Sequence, residues 1–219
     1  EPVTIPMGVE FEPASTSLAH AARRELSGAR PLVLFVGRVV EEKGVFDLLA
    51  AAPLIRDAVP DVAIAIVGDG QDLPAVRRRL NELDLEDTVL CTGWQPHEKV
   101  QLLQAAADVV VVPSRTGPDG WVEAQGLSAV EALAAGAAVV ATDHGGLRDS
   151  VVHEATGLLV PEADPVGLGA AVVRLLQDRE LAGRLGAAGR STTMDNYDRR
   201  NIARRFSDLY DQVLSRQRR

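Results

Sequence analysis

Short runs made mostly of Val, Ile, Leu and Ala alternate with segments of helical period, and this alternation leaves little choice of fold. The order is PLVLFVG, VFDLLAAAPLIRDA, VAIAIVG, LPAVRRRLNEL, TVLCTG, VQLLQAAA, DVVVVPS, LSAVEALAAG, AAVVAT and GLLVP. Strand and helix taking turns is the pattern of a parallel sheet. Strands that are apolar on consecutive residues, not only on alternate ones, need helices on both faces.

The expectation is therefore an α/β fold: a Rossmann-like parallel sheet with helices on both faces. At 219 residues, one well-buried domain is the default. From Pro165 onward helices dominate: Asp164 precedes a proline suited to the first helical position, ELAGRLGAAG follows, and Ile202 to Leu214 makes a long amphipathic close. Residues 1–17 differ, with Pro2, Pro6 and Pro13 and no strand feeding a helix. They read as a connector entering a domain of residues 18–219.

Composition removes several classes of function. A net charge of -8 offers no broad basic surface for a nucleic-acid backbone. The longest apolar runs are too short to cross a bilayer. Cys91 is the single cysteine, which points to the reduced cytoplasm. The four histidines have no metal-ligand spacing, and neither G-x-S-x-G nor a Walker A sequence is present. Eight arginines in the last 30 residues, Arg216, Arg218 and Arg219 among them, make a weakly basic helical tail. Peripheral contact with anionic lipid is one use for it, and a solvated face is the more ordinary one.

Ligands of open parallel sheets bind at the carboxyl ends of the strands, so the loops after Gly37, Gly68, Gly93, Ser114 and Thr142 are where a site is expected. The first carries Arg38 and Lys43, two cations able to neutralise a diphosphate leaving group. The bland reading pairs them with Glu41 and Glu42 on the surface. The second carries Gly68 and Gly70, whose amides are expected to point outward. VGDG matches a dinucleotide fingerprint only in part: Leu73 stands where glycine or alanine is needed, and the next strand ends without an acid.

The most informative segment is SRTGPDGWVEAQGLSAVEALAAG, in which seven residues separate Glu123 from Glu131 and Gly126 opens a helix between them. The amides of Leu127, Ser128 and Ala129 are expected to face the crevice as a seat for phosphate. Glu131, one turn in, reaches for ribose hydroxyls. The competing reading makes Ser128 and Glu131 a capping box. His144, before Gly145 and Gly146 at a strand end, is a secondary candidate. No Asp-x-Asp device for a metal exists, so leaving-group charge falls to Arg, Lys and amides, with no cofactor.

Taken in order, IPMGVE with Phe11 and Pro13, VGRVVEEKG, IVGDG, TGW, AAADVVVVPS, E-x7-E, AAGAAVVATDHGG and TGLLVP resemble the group 1 retaining glycosyltransferases, family 4, from about Ile5 to the C-terminus. That resemblance implies the C-terminal half of a two-domain GT-B fold, which binds the nucleotide sugar. By it, Arg38 and Lys43 contact the donor phosphates, Gly93 and Trp94 approach the base, Glu131 binds ribose and Glu123 sits beside the sugar. Arg38, Lys43 and Glu123 are thus the candidate catalytic residues. The leaving diphosphate would help to deprotonate the acceptor on the same face, so no protein nucleophile is implied.

The chain departs from the pattern at Gln71, where proline is common, at Ala124 and Gln125 in place of Gly-Phe, and over the polar stretch Thr116 to Trp121. The acceptor-binding N-terminal domain is expected to be missing. The implied function is transfer of a hexose from a UDP- or GDP-sugar to a glycan or lipid-linked acceptor, in cell-envelope polysaccharide or glycolipid biosynthesis. Two other readings share the architecture: a non-catalytic nucleotide-sugar-binding module needing a partner subunit, and an epimerase of nucleotide sugars. Lys43→Ala and Glu131→Ala are both expected to weaken nucleotide binding with little change in unfolding.

Overall fold

The computed structural model describes residues 3–10 and 14–217. Pro2, Phe11, Pro13, Arg218 and Arg219, all named above, lie outside the described residues. Six strands form one sheet: β1 (Leu32–Val36), β2 (Ala63–Val67), β3 (Val89–Gly93), β4 (Val109–Val112), β5 (Val139–Thr142) and β6 (Leu158–Val160). Their order is β3-β2-β1-β4-β5-β6, and every neighbouring pair is parallel. Each of the six runs read as a strand in the sequence is one.

The sheet has two buried faces because side chains alternate sides along each strand. Val33, Phe35, Ile64, Ile66, Val109, Val111 and Val140 pack on one side against α2 (Val45–Ala58), α3 (Leu73–Glu82) and α7 (Pro165–Gln177). Leu32, Leu34, Ala63, Ala65, Val110, Val112 and Val139 pack on the other against α4 (His97–Ala106) and α5 (Leu127–Ala135). Each large side chain so buried contributes about 1.5 to 3 kcal/mol. The short α6 (Leu147–Ser150) and the closing pair α8 (Arg179–Tyr197) and α9 (Arg199–Gln217) complete the fold. Asp164 and Asp178 cap α7 and α8 by accepting the amides of Gly167 and Leu181, each at 2.9 Å.

Helix α1 (Thr16–Ser27) has no counterpart in the sequence reading. Its buried residues are only Ala19, Ala22 and Ser27, so no stripe of large apolar residues announces it. Ala22 and Leu26 pack on the second face of the core, and polar contacts add to them. Arg23 donates to Asp108 at 2.6 Å and to the carbonyls of Ala106 and Arg30 at 3.0 Å. Asp108 also accepts the Leu32 amide at 2.7 Å, which ties α1 to the start of β1.

The segment ahead of α1 is pinned where α8 meets α9. Val9 donates to the Tyr197 carbonyl at 2.8 Å and accepts from the Arg199 amide at 3.1 Å. A Cβ on Gly8 would stand 2.8 Å from the Arg199 Cα, so only glycine fits that crossing.

Candidate functional site

From β1 the chain builds outward through β2 and β3, and from β4 it builds the opposite way through β5 and β6. A crevice opens at the carboxyl ends of β1 and β4, where this direction reverses. Two adjoining clefts occupy it, of about 390 and 220 Å³, with Val36, Gly37 and Arg38 common to both.

The larger cleft brings together Gly37, Arg38, Lys43, Glu123, Gly126, Leu127, Ser128 and Glu131, all expected from the sequence. Lys43 does not pair with its neighbours in the loop. Its Nζ lies 2.5 Å from Glu123 Oε2 and 4.8 Å from the centre of the Trp121 ring. The same carboxylate oxygen accepts the Ser114 hydroxyl at 3.0 Å. Arg38 follows the surface reading more closely, being 63% exposed and 3.8 Å from Glu42. One cation is thus held in the wall, and the other lies exposed at the opening beside Glu42.

Helix α5 starts at Leu127, and the residue ahead of it is Gly126 at φ 72°, where an added Cβ would overlap the Leu147 side chain. Since no side chain caps this helix, the Ser128 and Glu131 capping box is not formed. Glu131 instead lines the cleft, where the nearby Gln104 side chain favours its charged form. Gln104 is 1% exposed and donates to the Ser128 carbonyl at 3.3 Å. The expectation for Ala129 is corrected: its side chain is buried and its amide already bonds the Gly126 carbonyl at 2.9 Å. Leu127 and Ser128 remain as the residues at the helix start that line the cleft.

Burial pushes the Glu131 carboxyl above its ordinary value of 4.5, against the pull of His97 and Gln104. Because the folded state favours the protonated acid, stability is lost as pH rises from 4.5 through the raised value. Glu131→Gln is therefore expected to melt above the parent at pH 7, with the gap closing below pH 4.5. Thermal unfolding at pH 7 and pH 4 checks this, and equal midpoints at pH 7 would contradict it.

The smaller cleft holds Gly68 and Trp94, the latter 71% exposed with its ring toward solvent. Gly93 immediately precedes it at φ 72°. The outward amides expected of VGDG are not found. Gly68 donates to the Gly93 carbonyl at 2.9 Å, and Gly70 donates to the Asp69 carboxylate at 2.7 Å. Gly70 lines neither cleft, and a Cβ there would press on the backbone of Val39. These glycines permit close packing of loops and present no amides to a ligand.

His144 is 4% exposed, and its Nε2 accepts the Glu123 amide at 3.2 Å. Its Nδ1 faces Glu162 Oε2 at 3.3 Å. Glu162 was not singled out in the sequence. It accepts the Thr116 amide at 2.6 Å and the Thr116 hydroxyl at 3.0 Å, and the first of these bonds does most to hold its carboxyl below the ordinary range. Gln125 also has an unforeseen part, since its amide accepts from the Met7 N–H at 2.8 Å and donates to the Met7 carbonyl at 2.9 Å. That reciprocal pair places Met7 on the lip of the larger cleft.

Among the described residues, no group of three or more His, Cys, Asp or Glu is placed to hold a metal. No described helix is long and apolar enough to cross a membrane.

Residues 19–192 match the family model described as glycosyl transferases group 1. The chain belongs to this family. A GDP-mannose-dependent alpha-(1-6)-phosphatidylinositol monomannoside mannosyltransferase of Mycolicibacterium smegmatis is 36% identical over 209 residues, 94% of this chain and 55% of that protein. Sucrose-phosphate synthase from Thermosynechococcus elongatus superposes with a TM-score of 0.82 at 34% identity, over 96% of this chain and 52% of that one. The C-terminal domain of a group 1 family protein from Francisella tularensis has the same fold, with a TM-score of 0.74 at 22% identity over 86% of this chain and 96% of that one. This group 1 chain thus spans about half the length of the curated relatives it matches.

Proposed function

We propose that the crevice binds a nucleotide sugar, UDP- or GDP-linked, as the donor half of a retaining hexosyltransferase whose acceptor is a glycan or lipid. One observation carries the reading: Lys43, Arg38, the start of α5 and Glu131 converge on one cleft at the β1/β4 switch point. A volume of about 390 Å³ is in the range of small-ligand sites.

In this reading the diphosphate lies between Lys43, Arg38 and the amides of Leu127 and Ser128, where fixed positive charge meets the charge that develops on the leaving group. Glu131, steadied by Gln104, takes the ribose hydroxyls. The base extends into the smaller cleft beside Gly93 and Trp94. Glu123 stands by the sugar, and the leaving diphosphate assists deprotonation of the acceptor.

Residues 1–17 would be the connector from an acceptor-binding domain. The half-length match to relatives and the exposed row Phe206, Tyr210, Val213 and Leu214 on α9 support this, since that row is suited to packing on further structure. The same reading places the enzyme in the cytoplasm, in the assembly of an envelope glycan or glycolipid at the membrane surface.

Calorimetric titration of the chain with UDP, GDP and ADP tests the proposal. Selective binding of UDP or GDP, tightened by the attached sugar, is the expected result, together with little transfer by this chain alone. No heat with any of the three would overturn it. Glu131→Gln is expected to weaken that binding about tenfold, the loss of one charge-assisted hydrogen bond.

A further inference from the structure

We propose that His144 is a positioning residue for this site: kept in its Nδ1-protonated form by Glu162, it holds the Glu123 peptide so that Glu123 and Lys43 stand together in the cleft wall. The proposal rests on the nucleotide-sugar reading above and adds to it a residue that touches neither cleft.

The tautomer follows from the two partners. Nε2 accepts the Glu123 amide at 3.2 Å, so that nitrogen carries no proton. The proton of neutral imidazole is then on Nδ1, 3.3 Å from Glu162 Oε2. Glu162 is in turn fixed by the amide and hydroxyl of Thr116. One imidazole therefore links the loops that follow β4, β5 and β6.

Its grip on Glu123 is two-sided. The amide of Gly146, two residues after His144, donates to the Glu123 carbonyl at 2.8 Å. Both polar groups of the Glu123 peptide are thus held by one short segment. A Cβ on Gly145 or Gly146 would overlap the carbonyls of Glu123 or Ala124, so the approach depends on both glycines. The Glu123 carboxylate bonds Lys43 and Ser114 on its other side. Trp121, whose ring also lies against Lys43, has its centre 6.4 Å from the His144 ring. His144 thus contacts both supports of the Lys43 ammonium without meeting it.

The test compares His144→Phe, which keeps a planar ring and removes the acceptor, with His144→Gln, which puts an amide oxygen near the position of Nε2. Each is titrated with the nucleoside diphosphate that the parent chain binds. His144→Phe is expected to bind at least tenfold more weakly, and His144→Gln to return to within threefold of the parent. Parent-like binding by His144→Phe, or equal loss in both variants, overturns the proposal. Absence of heat in the parent would be failure of the nucleotide-sugar reading itself. Imidazole 15N shifts of the unliganded parent decide the His144 assignment independently of any ligand or variant. A bare Nε2 with a protonated Nδ1 supports it, and the reverse tautomer overturns it.

Discussion

Lys43→Met is expected to lower affinity for the bound nucleoside diphosphate by roughly thirty- to a hundred-and-fifty-fold, the loss of a charge-assisted contact of about 2 to 3 kcal/mol. Methionine keeps the apolar stem and removes the charge. Sequence alone led to an expectation of unchanged unfolding, and the ion pair with Glu123 revises it. The Glu123 carboxylate is 9% exposed and the Lys43 side chain 21%, so removing the ammonium strands a buried anion with Ser114 as its remaining side-chain partner. A fully buried pair broken in this way costs about 3 to 5 kcal/mol, and partial solvation of Lys43 brings the expected loss to about 2 to 3 kcal/mol. Adding Glu123→Gln should restore most of the stability and none of the affinity. Urea denaturation and calorimetry on the two single variants and the double variant separate these effects. A double variant no more stable than Lys43→Met would show that the pair is not what stabilises this wall.

Gly44→Ala is expected to be the most destabilising single-methyl change near the site, at about 4 kcal/mol or more. Gly44 joins the turn bearing Lys43 to α2 at φ 72° and ψ 20°. A Cβ there would overlap the carbonyl of Pro113, the residue before Ser114. That close approach of two backbones is what brings Lys43 and Ser114 onto the same oxygen of Glu123, so relief of the overlap must draw them apart. Gly136→Ala is the control. Gly136 ends α5 with nearly the same backbone angles, φ 82° and ψ 16°, and its nearest neighbour would be an ordinary 3.8 Å contact with Arg190. It should therefore carry only the conformational cost of about 1 to 2 kcal/mol. Similar midpoints for the two variants in urea would refute the steric account.

The sheet and the strand-end loops that carry the site were legible because they depend on side-chain type and spacing, whereas the strand order was not. Unbroken apolar runs, LVLFV in β1, AIAIV in β2 and VVVV in β4, mark these strands wherever the chain goes next, and Arg38, Lys43, Glu123 and Glu131 converge once those strands are set in order. Helix α1 was not legible, since its inward positions Ala19, Ala22 and Leu26 include only one large apolar residue and mark the face weakly. Gln104 carried a faint signal, a polar residue that shares the inward face of α4 with Val100 and Leu103. Glu162 carried less, being one acid after a strand end, and its role exists only because Thr116 and His144 come to it from two other loops. The misplaced expectations share a cause: whether the amides of Gly68, Gly70 and Ala129 are outward or engaged depends on loop paths that glycine permits and does not specify.

The order of the strands bears also on how the molecule comes together and parts. Val33 lies beside Val109 and Phe35 beside Val111, yet two strands and three helices intervene along the chain. No other pairing in the sheet spans so long a stretch, and closure grows less favourable with the length enclosed. The crevice therefore runs along a seam between two halves of the polypeptide and exists in neither half by itself. Lys43 comes from one half and Glu123 from the other, so their ion pair already crosses the seam, and a molecule seated in the crevice would add a second fastening across it, like a rivet beside a stitch.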